Sequence, residues 1–268
     1  VAAIETIGAY EGTSGASLGT ATFAPSNSGT IRSFPSAAEA FLVDVGYDDV
    51  TSPELFEVLS PLLHDNTEGI AFDPGAIAPY SLFPSDMPQR LRTQDTLTIK
   101  ATTAATTGKA AVTLTVYYSQ LPGADARLYS PGDISGLVVN VKNLRIAVAS
   151  GANTAGEWYD LVATTTEDLL KANTDYAVLG AWFDQAVAAV AFYGSDTSNL
   201  RIGVPGGVNR PDAARYFVRL SELTGRPCIP VINSANIGST YGSIFSSAAT
   251  GADGTIDLVL AQLSQNLS

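Results

Sequence analysis

The chain has 268 residues, in which 14 Lys and Arg face 26 Asp and Glu, a formal net charge of −12. That balance excludes a sequence-independent nucleic-acid binder, which needs a basic footprint to displace counterions. A single cysteine, Cys228, excludes an intramolecular disulfide and a cysteine zinc cluster, and a single histidine, His64, excludes a multi-histidine metal site.

From the N-terminus, the first residues show no basic segment followed by a long apolar core, so no secretory signal is read. Val1 fits a chain that has lost an initiator Met. Val1, Ile4, Ile7 and Tyr10 recur at helical spacing. A short helix is predicted after Ser52 and Pro53, over 54–59 and stopped near Pro61. Residues 96–103 and 112–120 are rich in β-branched and aromatic side chains and flank a loop tipped by Gly108, which predicts a hairpin or two neighbouring antiparallel strands. Pro122 to Pro131 is the natural break between two pieces of normal domain size.

Beyond it, strands are predicted near 137–149, 157–163, 175–182, 187–193, 199–204, 228–233, 240–247 and 254–263. Thr164 and Glu167 have capping-box spacing and predict a short helix through Leu169 and Leu170. Asn209 caps a predicted helix through Ala213, Phe217, Leu220 and Leu223, closed by Gly225. The most apolar stretch, 177–194, is interrupted by Asp184 and Gln185, so no membrane span is expected. A soluble globular protein is the reading.

The charge is polarised. Between Arg32 and Arg90 there is no Lys or Arg, and the gap holds ten acids, Asp48, Asp49, Glu54 and Glu57 among them. From Arg201 to Arg226, five Arg face only Asp212 and Glu222. The chain also repeats itself. Tyr47-Asp48-Asp49-Val50 matches Tyr159-Asp160-Leu161-Val162, and Leu114, Val116 and Tyr118 match Ile256, Leu258 and Leu260, 142 residues on. The unequal spacings imply an insertion of about 30 residues in the second copy, around the predicted helix. Eight strands with few helices between them is the jelly-roll count.

On these elements the chain resembles the double jelly-roll major capsid proteins of tailless icosahedral bacterial and archaeal viruses, many with an internal membrane. The likeness is architectural and covers the whole chain; no short signature motif carries it. It implies a mainly β fold of two tandem eight-stranded jelly-roll β-sandwiches with a few short helices, at 1–124 and 125–268, the second with a helix-containing loop at about 209–225. It implies a homotrimer forming a pseudo-hexagonal capsomer, contacts with neighbouring capsomers and other virion proteins, and a place in the virion after synthesis in the host cytoplasm. The first ten residues would be a basal arm touching neighbours or an internal viral membrane.

Catalytic chemistry is thin. His64 and Asp65 are adjacent, and neighbours on a helix point about 100° apart, so they form no dyad. Gly15-Ala16-Ser17-Leu18-Gly19 matches a nucleophile-elbow string without its strand-to-helix setting. The Gly-rich 203–207 lacks the Lys-Ser/Thr of a phosphate loop. Asp65 to Asp73, or Asp253 to Asp257, could supply hard oxygen ligands to calcium but fit no calcium-loop pattern. Trp158 and Trp182 are expected in the core, and Cys228 as a small buried hydrophobe. No enzyme, cofactor, metal or direct nucleic-acid partner is predicted. The expected subunit contacts are Arg210, Arg215 and Arg219 against Asp48, Asp49 and Glu54. The alternative reading is a β-sandwich surface or spike protein that binds a carbohydrate or receptor.

Overall fold

The computed structural model describes residues 1–14, 19–23, 30–49, 53–63, 69–72, 88–103, 108–148, 156–161, 170–183, 187–206, 212–245 and 254–267. The fold is mainly β, with three antiparallel sheets and a few short helices among these residues. The first half contributes β1 (Ala3–Ser14), β2 (Gly19–Phe23), β3 (Ala40–Asp49), β4 (Pro53–Leu59), β5 (Ile70–Phe72), β6 (Gln89–Leu91), β7 (Thr98–Thr103) and β8 (Gly108–Tyr118). A connecting segment holds β9 (Leu128–Tyr129) and α1 (Pro131–Ile134). The second half contributes β10 (Val138–Val148), β11 (Trp158–Leu161), β12 (Asp175–Phe183), β13 (Ala189–Tyr193), β14 (Ile202–Pro205), α2 (Tyr216–Thr224), β15 (Ile229–Asn233), β16 (Tyr241–Phe245) and β17 (Gly254–Leu263).

Strand order in the first sheet is β5-β4-β7-β2-β1-β8-β3-β6. Its two wings join where Ala9 and Tyr10 pair with Phe23 and Thr22. They close on each other around Ile7, Leu42, Val58, Leu97, Leu114 and Val116, an apolar cluster drawn from both wings. The second half has the orders β10-β17-β12-β15-β9 and β11-β16-β13-β14. Counted within each half, the first strand pairs with the eighth, the eighth with the third and the third with the sixth. Likewise the second pairs with the seventh, the seventh with the fourth and the fourth with the fifth. The second core gathers Leu144, Ile146, Val178, Phe192, Ile202, Ile244, Ile256 and Leu258.

Helix α2 buries Tyr216, Phe217 and Leu220 and ends at Gly225. Phe217 meets Phe192 edge-on, with ring centroids 6.3 Å apart. The 3-10 turn before α2 crosses β12 at Gly180, where a Cβ would lie 2.1 Å from the Ala213 carbonyl oxygen. Only glycine permits that approach.

Several expectations change. Residues 54–59 are strand, not helix: β4 sits between β5 and β7. A seven-residue stretch is too short for periodicity to separate the two, and its setting in the sheet decides. The first ten residues are no free arm. Ile7 of β1 packs in the first core and Ile4 in the second, so spacing that read as helical belongs to a strand buried on both faces. Residues 96–120 are not a hairpin, because β7 pairs with β2 and β4 while β8 pairs with β1 and β3. Helix α2 starts at Tyr216 after a turn at Ala213–Arg215, later than predicted. Asn209 and the 164–167 capping box lie outside the described residues. Of the two repeats, Leu114 and Ile256 do occupy equivalent strands, β8 and β17. Tyr47 lies on the third strand of its half and Tyr159 on the second, so that match, and the insertion length drawn from it, fall away.

Candidate assembly surfaces

The outer face of β1-β8-β3 carries small and hydroxyl side chains, and the second half lies on it. Thr6, Thr113 and Thr115 are fully buried there. Buried hydroxyls need partners, and each of these has one. Thr6 Oγ1 accepts from the Gly203 amide at 2.8 Å, Thr113 Oγ1 donates to the Ala188 carbonyl at 3.2 Å, and Tyr216 and Thr115 hydroxyls meet at 3.4 Å. The Thr6 amide donates to the Arg201 carbonyl at 2.7 Å. Gly46 admits Pro205, since a Cβ there would lie 2.5 Å from the proline Cβ and 2.8 Å from the Ala188 oxygen.

Two of the five arginines between 201 and 226 work inside the chain. Arg226 stacks over Phe41 at 4.2 Å and Tyr117 at 5.7 Å, joining the halves by cation–π contact. Burial, helped by the nearby Cys228, pushes the Tyr117 hydroxyl up to about 12. Arg201 binds both oxygens of Asp160, at 2.9 and 3.2 Å, and lies over the rings of Tyr193 and Trp158. The Asp160 carboxylate also accepts from Ser243 at 2.5 Å. Burial and Asp160 together push Tyr193 up to about 12.

The predicted contact residues divide. Arg215 and Arg219 are exposed at the start and on the face of α2; Arg219 approaches Asp212 at 3.8 Å. Arg210 lies outside the described residues. Asp48 and Asp49 end β3, opposite Ala111 and Ala110 of β8, and Glu54 is on β4. Arg226 meets β8 six residues further on, at Tyr117, roughly 20 Å away along a strand. Arg226 and the Asp48–Asp49 end of β3 therefore stand well apart within one chain.

Two ion-pair networks were not legible. Arg32 grips Glu5 through two bonds of 2.6 and 2.7 Å. Arg127, in the connecting segment, binds the fully buried Asp175 through its two terminal guanidinium nitrogens. Asp175 also accepts from Asn233 and the Leu267 amide, each at 2.7 Å. Burial works to raise the Asp175 carboxyl, but Arg127, Leu267 and Asn233 outweigh it and hold it below the ordinary value. One Arg alone in a Pro- and Gly-containing linker was the available signal.

Trp158 is in the core as expected, but Trp182 is 48% exposed, which corrects its assignment. Alternation along β12 sends it to the open side, beside Asp257. Cys228 is buried, and burial pushes its thiol up to about 12, the state of an inert hydrophobe. His64, Asp65, Asp73, Asp253 and Ser17 lie outside the described residues, and Asp257 is paired with Arg145. Among the described residues no group of three or more His, Cys, Asp or Glu could hold a metal. No helix among them is long and apolar enough to cross a membrane.

No protein-family model matches the chain, and no curated protein does. Among solved structures it is similar to the crystal structure of the major capsid protein P2 from bacteriophage PM2. The two share 11% identity over 99% of each chain, at a TM-score of 0.22. That is a weak structural similarity, and no residue role is carried across by it.

Proposed function

We propose that this chain is a shell-forming coat protein made of two tandem jelly rolls, at 1–124 and 125–268, that assembles as trimers into an icosahedral virion. The observation that carries the reading is the recurrence of one eight-strand pairing order in both halves. In each, a wing of strands one, eight, three and six closes over a wing of strands two, seven, four and five, the connectivity of a jelly roll. The way the halves meet adds support: one wing of the first half packs face to face on the opposite wing of the second. A contact between unlike faces, repeated head to tail between chains, gives a ring where its rotation closes. Three chains then give six sandwiches in a pseudo-hexagon.

Sedimentation of the purified chain tests this. A compact species of about three times the 27.8 kDa chain mass is expected, and a monomer at all concentrations would overturn it. The polarised charge makes assembly sensitive to ionic strength.

One observation favours a second reading, a sugar-binding surface. Tyr241 is 39% exposed and stacks on Tyr193 at 5.2 Å, next to Asp160 and Arg201. An aromatic platform beside a carboxylate suits a glycan. Glycan-array binding by a monomer, lost in Tyr241→Ala, would favour it over the coat.

A further inference from the structure

The chain leaves the second sheet after Leu263 of β17, and the residues that follow return to the connecting segment. Asn266 and Leu267 are held there by side chains in place of a strand ladder. Asn266 accepts from the Asp175 amide at 3.0 Å and donates to the Asn173 carbonyl at 3.1 Å. The Leu267 amide donates to the Asp175 carboxylate at 2.7 Å, and its carbonyl accepts from Arg127 at 2.6 Å. Leu267, like Leu128 and Tyr129 of β9, packs part-buried against the second core.

The connecting segment hangs on the same two ions. Arg127 binds Asp175 with its side chain, and its backbone carbonyl accepts from the Val231 amide at 2.8 Å. Next to it, β9 lays Leu128 and Tyr129 against Pro230 and Ile229 of β15. Strand β9 is only two residues long, whereas β17 is paired along both sides, with β10 and with β12. The ion pair couples the two segments. The Asp175 side chain is fully buried, and that of Arg127 is 20% exposed. If Leu267 leaves, both ions lose a hydrogen-bond partner. If the connecting segment leaves, Asp175 loses its counter-charge. A buried ion stripped of its partners is costly, so neither segment departs cheaply while the other stays.

We infer that residues 264–267 and the connecting segment around β9 form one latch, which opens as a unit and, while shut, covers the β15 edge of the second sheet. Ile229 and Val231 of β15 are fully buried, and an uncovered strand edge is a template on which another chain can pair. The shut latch guards against that pairing. Its opening breaks few backbone hydrogen bonds, so it costs less than unfolding the sheet behind it. The inference goes beyond the self-assembly reading and does not rest on it.

Native-state hydrogen exchange on the full chain, followed through a urea series, tests the inference. The Val231 amide reports on the connecting segment, the Leu267 amide on residues 264–267, and the amides of β17 serve as the reference. The expected result is that Val231 and Leu267 share one protection factor, about tenfold or more below that of β17, with a shallower dependence on urea. Asn266→Ala removes two hydrogen bonds on the 264–267 side, and neither of them reaches Arg127 or β9. It should nonetheless speed exchange at Val231 as well as at Leu267, each by about tenfold. Val231 unmoved by Asn266→Ala would show that the two segments open separately, and would overturn the inference. Wild-type Val231 and Leu267 amides that follow β17 in both rate and urea dependence would overturn it too, because the latch would then open only with the whole fold.

Discussion

Two faces built on the same strand pairing carry opposite chemistry. The outer face of β1-β8-β3 has Thr6, Thr113, Thr115 and Gly46, with hydroxyls satisfied and the second half at glycine distance. The outer face of β10-β17-β12 has Arg145, Asp257, Trp182 and Val141, with long side chains standing in solvent. A permanent contact formed once, at folding, can demand close backbone approach and exact hydroxyl partners. A face left open to water keeps charge and long side chains. The difference separates a face buried at folding from a face left open, and substitutions on each side should report differently.

The largest effect is expected at the anchor of the connecting segment. Asp175→Asn leaves the part-buried Arg127 without its counter-charge, which costs about 3 kcal/mol, read by urea denaturation. Next, Gly46→Val drives a side chain against Pro205 and the Ala188 carbonyl and should cost about 1–3 kcal/mol. If Gly46→Val leaves the denaturation midpoint unchanged, the halves are not held at that distance. Arg226→Gln removes the stack on Phe41 and Tyr117 and should cost about 1 kcal/mol. Smallest, Arg215→Glu with Arg219→Glu should change stability by no more than about 0.5 kcal/mol, since both are exposed. The same pair should weaken assembly at low salt. A loss of stability as large as that of Gly46→Val would move α2's outer face into the folding interface.

The Asp175 network also sets a pH dependence. Its folded-state carboxyl lies below the ordinary value, so its stabilisation is complete above the unfolded value of about 3.9. It is lost as pH falls through the lower, folded value. The stability gap between wild type and Asp175→Asn should therefore be constant near neutrality and shrink below about pH 4. A gap that stays constant down to acid unfolding would mean that the carboxylate charge does not hold the segment.

The sequence exposed strands where one face is open or a turn marks the end. Residues 137–149, 175–182, 187–193 and 254–263 came close to β10, β12, β13 and β17. It misled where a strand is buried on both faces. In β1, Ile4 and Ile7 serve different cores, so a spacing of three mimics a helix. β4 is too short to carry a usable period. The Arg-rich segment was visible, but not that Arg226 and Arg201 turn inward, because Phe41 lies 185 residues from Arg226 and Asp160 lies 41 from Arg201. Trp182 read as core because composition says nothing about which side of β12 is covered.

The central claim is head-to-tail assembly of a coat from paired sandwiches. Electron microscopy of the purified, concentrated chain tests it most directly. The account predicts rings of six sandwich-sized lobes built from three chains. Isolated two-lobed particles under every condition, or a symmetric dimer joined face to like face, would contradict it.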